Sequence, residues 1–332
     1  FVKDALTGTN DIVDVHIMGL SNQTVLHPNA LKARAPLSSW LDMSGKRQFV
    51  QRCRQATGES SAEAAELAAD SPGIVALVEE LTFVNLYAPY KAVLHALDAV
   101  YNLDGSKNQE RTALETSNES VLGICAAYPD LFVPCASVHP YRQDACEGLR
   151  HLAKTERVRM IRWLPNVQVI DAEHPNCIPF FETMKELDMT LHVHIGDEHL
   201  VSTLLPNGGA ENNNLGDPRR LRFALEMGVR VVMATCGASG KCEEHHLPNV
   251  NLFVAMMEER QFIGRLFGDL SGLSSHENAK VLKTLARFSR LHPRIFYASA
   301  HPQVSSFQVV ALTAVHWYHG HISWHQRALL NN

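Results

Sequence analysis

Short apolar segments alternate with segments of helical patterning along this chain. Several of the apolar segments are almost continuous runs of Val, Ile, Leu and Phe, which is typical of parallel strands buried on both faces. The eight segments predicted as strands are 12–18, 92–97, 132–137, 158–164, 190–195, 230–234, 264–270 and 294–299. Strands that alternate with helices in this way indicate parallel βαβ units.

Capping and periodicity signals mark helices between these strands. Asp217 is a predicted N-cap with Pro218 at the first helical position, and Gly228 ends that helix. Residues 145–154 form a second predicted helix. In residues 178–187 an apolar residue recurs at every third position, which gives the segment one apolar face. Helices thus separate the predicted strands.

Eight β/α units in 332 residues match the size of one closed (β/α)₈ barrel. A doubly wound open sheet is the alternative, but its glycine-rich dinucleotide fingerprint is missing. We therefore predict a single TIM-type barrel domain over residues 1–332. Residues 21–45, after the first strand, and residues 204–216, after the fifth, are predicted loop insertions. A His-rich helix is expected near residues 306–328.

Composition argues against several classes of protein. The formal net charge is −5 and no long Lys/Arg run is present, so neither nucleic acid nor an acidic membrane surface is an expected partner. No apolar stretch reaches the roughly 20 residues of a membrane span. The seven cysteines are scattered and form no CxxC pair. Together with the lack of a secretory signal peptide, this favours a reducing intracellular compartment, the cytosol or an organelle matrix such as the mitochondrion.

The C-terminal end of the chain is rich in histidine. These residues are His316, His319, His321 and His325. Their spacing matches no common ligand pattern for zinc, so a solvated terminal helix is favoured over a metal site.

Residues at the C-terminal ends of the strands supply the chemistry of a barrel enzyme. Polar and metal-binding residue types occur at several of these positions. The candidates, in chain order, are His16, Asp98, Arg162, His192, His194, Glu198, Thr235, Cys236 and His301. Imidazole, thiolate and carboxylate groups are the usual ligands of zinc.

The chain resembles the metal-dependent amidohydrolase superfamily, particularly its amidohydrolase-related branch of hydrolases and some decarboxylases. The resemblance covers about residues 11 to 305 and includes the stretches 135–142, 163–166 and 268–271. It implies an Asp-x-His-x-His motif on the first strand, often a Lys on the fourth, a His on the fifth and sixth, and an Asp on the eighth. In the family these side chains hold one or two divalent metals, and the eighth-strand Asp handles the proton of the attacking water.

Transferred position by position, the family's site is incomplete in this chain. The matching positions are His16, Met18, Arg162, His194, Thr235 and Ala300, of which only the two histidines retain the family's residue. A catalytic zinc normally needs three protein ligands, and a thioether prefers softer metals. A guanidinium is cationic and cannot act as a ligand. We therefore expect His16 and His194 to bind metal weakly and the protein to need no cofactor.

A rebuilt zinc site is the alternative. His301 follows Ala300, and Cys236 follows Thr235. Because neighbouring residues of a strand point to opposite faces, both side chains should face away from the position of their predecessors. His192 has the parity of His194 and should lie one layer deeper.

Other polar residues near the strand ends each have two interpretations. Asp98 orients a pocket histidine or caps the following turn. Glu198 pairs with Arg162 or caps the next segment. Residues 139–142 bind an anion or form a solvated loop. Three further residues are predicted to shape the rim of the pocket: Trp163, Pro165 and Asn166.

The sequence thus predicts a catalytically inactive amidohydrolase-like barrel. It would serve as an accessory or structural subunit of a larger assembly, with a protein partner or a second copy of itself, or as a module that binds a small anion through Arg162. The alternative is a metal-dependent hydrolase or decarboxylase with a displaced, zinc-binding ligand set. A third interpretation is a metal-free lyase that uses Arg162 and His194 on an acidic substrate.

Overall fold

The computed structural model describes residues 12–18, 25–26, 72–85, 90–198, 210–242, 246–273 and 279–298. Within these ranges, strands and helices alternate along the chain as predicted. The strands are β1 (Ile12–Met18), β2 (Tyr90–His95), β3 (Phe132–Cys135), β4 (Met160–Trp163), β5 (Thr190–His194), β6 (Arg230–Ala234), β7 (Leu266–Asp269) and β8 (Ile295–Phe296). All eight predicted strands are therefore confirmed, with shifted ends.

The strands are parallel and neighbour one another in chain order. Strands β1, β2 and β3 form one sheet, and β4 to β8 form a second. A parallel bridge between Ala136 and Ile161 joins the two sheets, and the amide of Ala136 donates to the carbonyl of Met160. Strand β2 ends earlier than predicted because Leu97 pairs antiparallel with Thr116. The order β1 to β8 is that of a (β/α)₈ barrel.

Helices lie between successive strands. The α-helices are α1 (Pro72–Asn85), α2 (Asn118–Ala127), α3 (Ala145–Lys154), α4 (Pro165–Gln168), α5 (Ile178–Glu186), α6 (Arg222–Glu226), α7 (Asn249–Glu258) and α8 (Ala279–Ala286). Short 3₁₀ helices span Pro175–Cys177, Ala210–Gly216, Pro218–Leu221, Thr235–Gly237, Arg260–Phe262 and Ser289–Arg294. A small antiparallel ladder pairs Val25–Leu26 with Leu114–Glu115. Among the helices described, none combines the length and apolarity that a bilayer crossing needs.

The capping residues in the sequence predict several helix boundaries correctly. Helix α3 has the predicted bounds. The Asp217 side chain accepts a hydrogen bond from the amide of Arg219, and Pro218 opens a 3₁₀ turn that runs into α6. Gly228 has a φ of 97°, as expected of the residue that ends a helix.

Two separate layers of apolar side chains pack on the two faces of the strands. On the outer face, Ile161 and Leu191 pack with helix residues such as Phe181 and Phe253. On the inner face, Met160 belongs to a separate cluster, whose other buried members are Val93, Cys135 and Ala298. The alternation of Met160 and Ile161 between these layers explains why the strands lack a simple apolar–polar pattern.

Trp163 packs against the helices and not at the rim of the pocket, so its predicted place is wrong. Its side chain is buried, and its ring centroid lies 5.1 Å from that of Phe180 and 5.6 Å from that of Phe181. Its Nε1 donates a hydrogen bond of 2.9 Å to the carbonyl of Val138. Strand parity explains the position, because Trp163 follows the inward-facing Arg162.

Trp163→Phe should therefore lower the free energy of unfolding without changing the pocket. The variant leaves the buried carbonyl of Val138 without its donor, which costs about 1–3 kcal/mol. Urea denaturation followed by circular dichroism measures the change. An unchanged midpoint would show that this hydrogen bond contributes nothing.

Candidate functional site

Polar residues collect on the inner face at the C-terminal ends of β4 to β7. The Cα atoms of Arg162 and His192 are partners in the ladder of β4 and β5, and those of His194 and Ala234 are partners in β5 and β6. Residues in register on parallel strands share a face, so Arg162 and His192 both face the barrel interior. Asp269, the last residue of β7, reaches the same interior layer and contacts His192.

Arg162 is a buried cation. It is 3% exposed, and its Nε and Nη1 atoms have no hydrogen-bond partner among the described residues. Burial lowers the pKa of Arg162 to about 10, and the negative charges of Glu198 and Asp269 oppose that change. The guanidinium therefore stays protonated at neutral pH, with donors that the described part of the chain does not use.

Asp269 accepts hydrogen bonds from β5, from the turn after β6 and from the segment that follows its own strand. Its Oδ2 lies 2.7 Å from Nε2 of His192. Its Oδ1 accepts from the amides of Thr235 and Ser271, each at 2.9 Å, and from the hydroxyl of Ser271. Burial raises the pKa of Asp269, but these donors and the attraction of His192 outweigh burial, so the pKa lies below its usual value. An ionised carboxylate only accepts, so His192 donates through Nε2.

His194 and Glu198 lie where β5 leaves the barrel. Nε2 of His194 faces the carbonyl of Asp197 at 3.4 Å. Burial lowers the pKa of His194, Arg162 lowers it further, and the charge of Glu198 opposes both effects. The imidazole is therefore neutral at neutral pH. Glu198 is itself buried, and its charge acts on Arg162.

Strand β6 ends in a strained turn at Thr235. Residues Thr235, Cys236 and Gly237 have φ values of 61°, 50° and 68°. The left-handed conformation costs a β-branched residue such as Thr235 of the order of 1–2 kcal/mol. Two hydrogen bonds hold it there, since its amide donates to Asp269 and its hydroxyl donates to the carbonyl of Ile195 at 3.1 Å.

The described side chains at this end of the barrel do not fit a divalent metal. Across the described ranges, no group of three or more His, Cys, Asp or Glu is arranged to hold one. The carboxylate of Asp269 is occupied by donors, and burial raises the pKa of Cys236 well above its usual value, so its thiol is protonated. The cation of Arg162 would repel a metal. His16 and Met18 are described only in the backbone of β1, and Ala300, His301 and the His-rich tail lie outside the described residues.

Asp98 organises a turn beside the site. Its Oδ2 accepts from the amide of His139 at 2.9 Å and from Nη1 of Arg142 at 3.1 Å, and its Oδ1 accepts from the next residue's amide. Arg142 also binds Asp144. Burial lowers the pKa of His139 to about 4, and its Nε2 contacts the carbonyl of Gln168. Asp98 thus holds the distant turn at residues 139–142 as well as the amide of the residue that follows it. Neither interpretation of residues 139–142 holds, because Arg142 is occupied and His139 is buried.

Sequence reasoning did not single out three residues that the structure brings to this site. Asp269 and Ser271 were noticed only as part of a family-like stretch. His95, on β2, is buried and its ring centroid lies 4.6 Å from that of His192. Strand parity along β7 offered one usable signal, because Phe267 and Asp269 must share a face.

Comparisons with known proteins agree with this architecture. No protein-family model matches the chain, and no curated protein matches it. Several solved structures, however, match the chain over most of its length. A probable 2-pyrone-4,6-dicarboxylic acid hydrolase from Acinetobacter baumannii, solved with citric acid bound, is 12% identical, with 96% of this chain and 95% of that chain covered and a TM-score of 0.53. An uncharacterized TIM-barrel protein from Bordetella bronchiseptica is 14% identical, with 97% and 94% covered and a TM-score of 0.53.

A third solved structure is similar to this chain over nearly its whole length. 2,6-Dihydroxybenzoate decarboxylase from Rhizobium is 11% identical, with 92% of each chain covered and a TM-score of 0.52. This chain has the TIM-barrel fold. The hydrolase and the decarboxylase are of the amidohydrolase type that the sequence resembles. Identities of this size show the fold alone. In a TIM barrel the C-terminal ends of the strands form the site, and Arg162, His194 and Glu198 lie there.

Proposed function

We propose that this chain is an amidohydrolase-like TIM barrel that binds a small carboxylate through Arg162 and does not carry out the metal-dependent hydrolysis typical of that superfamily. The observation that carries the proposal is the buried guanidinium, whose Nε and Nη1 atoms lack partners among the described residues. Buried donors without hydrogen-bond acceptors are costly, and a bound anion would supply the missing acceptors.

A carboxylate fits this guanidinium better than other small ligands. Its two oxygens match the planar donors of arginine, and charge-assisted hydrogen bonds of this kind are among the strongest in proteins. The carboxylate of Asp269 cannot take this role, because His192, Thr235 and Ser271 already occupy its oxygens. The names of two fold neighbours contain carboxylic acids, a pyrone dicarboxylic acid and a dihydroxybenzoate, which supports the same class of ligand.

The absence of hydrolysis is proposed from the residues at the family's metal positions. Thr235 donates its hydroxyl to a backbone carbonyl, and Ala300 offers neither a ligand nor a base. The protein would then serve as a binding module or as an accessory subunit, in one domain over residues 1–332. Six cysteines in the described ranges are free thiols, which supports the proposed reducing compartment.

Titration calorimetry on the purified protein tests this function. 2,6-Dihydroxybenzoate, which is bound in a solved complex of the decarboxylase, is a suitable probe. 1,3-Dihydroxybenzene is the matched control because it lacks only the carboxylate. We expect the acid to bind, the control to bind at least about tenfold more weakly, and dialysis against EDTA to leave both affinities unchanged.

Two results would contradict the proposal. Equal affinity for the acid and for its control would show that Arg162 does not bind the carboxylate group. Stoichiometric zinc or manganese in elemental analysis, with binding lost after EDTA, would favour the alternative of a metal-dependent hydrolase or decarboxylase with a displaced ligand set.

A further inference from the structure

The carboxylate of Asp269 joins three segments of chain that lie far apart in sequence. His192 on β5 is 77 residues away and Thr235, directly after β6, is 34 residues away. Ser271, just after β7, completes the group with its amide and its hydroxyl. The side chain of Asp269 and those of its three donors are all buried. Hydrogen bonds to an ionised acceptor in such surroundings are stronger than neutral ones, so one carboxylate ties three strand ends together.

Thr235 extends this connection to the residues of the pocket. Its amide donates to Asp269, while its hydroxyl donates across to the carbonyl of Ile195 on the segment after β5. Ile195 directly follows His194, and the Cα of His194 is in register with that of Ala234. The position of the His194–Glu198 turn therefore depends on where Thr235 is held.

We propose that Asp269, Thr235 and Ser271 form a positioning hub that fixes the ends of β5, β6 and β7 around Arg162. A metal bound by side chains from several strands would join those strands. In this chain the described residues do not fit a metal, and the hub makes the cross-strand connection with hydrogen bonds instead. Its residues act through His194 and Arg162 and do not touch the ligand. The test of this inference by ligand affinity rests on the carboxylate binding proposed above.

The decisive variant is Thr235→Val, with Thr183→Val as a matched control. Both threonines are buried, and both donate a hydroxyl to a backbone carbonyl, Thr183 to that of Pro179 at 2.8 Å within α5. Valine keeps the β-branched shape, so the strain at position 235 is unchanged. Loss of the bond to Ile195 should weaken binding of 2,6-dihydroxybenzoate by roughly threefold to tenfold. Thr183→Val should stay within about twofold of wild type.

A merely structural role would give a different result. If both variants lower the melting temperature but neither changes the affinity, or if both weaken binding equally, the hub does not position the pocket. Unchanged affinity in Thr235→Val alone, with the same ordered fold, overturns the proposal in the same way.

Hydrogen exchange keeps the hub testable if wild type binds no carboxylate. The amides of Thr235 and Ser271 both donate to Oδ1 of Asp269, so they should exchange slowly in wild type and at least about tenfold faster in Asp269→Ala, which removes both acceptor oxygens. Dialysis of wild type against EDTA should leave their protection unchanged. Loss of protection after EDTA, or equal protection in Asp269→Ala, would show that something other than this carboxylate joins the strands.

Discussion

Arg162→Met should strongly weaken carboxylate binding while leaving the stability of the ligand-free protein nearly unchanged. Removal of a buried arginine from a charge pair with a ligand typically costs 2–5 kcal/mol of binding energy, which weakens affinity by a factor of about 30 to several thousand. The ligand-free protein, by contrast, holds a 3% exposed guanidinium whose Nε and Nη1 lack partners among the described residues. Methionine fills a similar volume without that desolvation cost, which offsets the lost attraction to Glu198 and Asp269, so the free energy of unfolding should change little.

A loss of affinity without a loss of stability distinguishes a ligand-binding arginine from a structural one. Calorimetry gives the affinity for 2,6-dihydroxybenzoate, and urea denaturation without ligand gives the free energy of unfolding. Arg220→Met is the matched control, because Arg220 is paired with Asp171 and Glu173 at the surface. That variant should bind as wild type does and be slightly less stable. If Arg162→Met instead unfolds more readily and still binds the acid, the guanidinium serves the fold and the proposed function is wrong.

Local patterns in the sequence were sufficient to predict the fold. The strands are recognisable because both of their faces are buried, so that Met160 packs inward and Ile161 packs outward in the same strand. Helix α3 and the turn at Asp217 follow from capping residues that act over a few positions. Strand ends were less accurate, because they depend on partners elsewhere in the chain. The end of β2 is one example, since Leu97 turns away to pair with Thr116.

The candidate site could be predicted only in part. Arg162 and His194 were found because the family resemblance and strand parity both place them at the barrel end. Asp269 was missed as a functional residue because its contact to His192 spans 77 residues, which no local pattern encodes. Strand parity also predicts that Cys236 faces away from the site, and its side chain belongs to the outer apolar cluster, with Sγ 3.0 Å from the backbone carbonyl of Asp269.

Asp269→Asn should cause the largest loss of stability of any single isosteric change at this site. The carboxylate accepts from His192 on one oxygen and from Thr235 and Ser271 on the other. Asparagine keeps one acceptor oxygen, but its NH₂ group replaces the other oxygen. A donor of the side chain then faces a donor of the surrounding residues. It also removes a negative charge that acts on Arg162. Breaking a buried charged network in this way typically costs about 3–5 kcal/mol.

The pH dependence of this loss has a definite sign. Burial raises the pKa of Asp269, but the hydrogen bond and attraction of His192 and the bonds from Ser271 and Thr235 lower it more, so the folded pKa lies below the unfolded value of about 3.9. Ionised Asp269 therefore stabilises the fold fully above the unfolded pKa, and this contribution disappears as pH falls through the folded pKa. The difference in unfolding free energy between wild type and Asp269→Asn should be constant near neutral pH and shrink in acid. Asp144→Asn, an exposed carboxylate paired with Arg142, is the control and should cost less than about 1 kcal/mol. A difference that grows as pH falls, or an Asp269→Asn variant as stable as Asp144→Asn, would mean that Asp269 is not ionised in the folded barrel and cannot hold the three strands by charge.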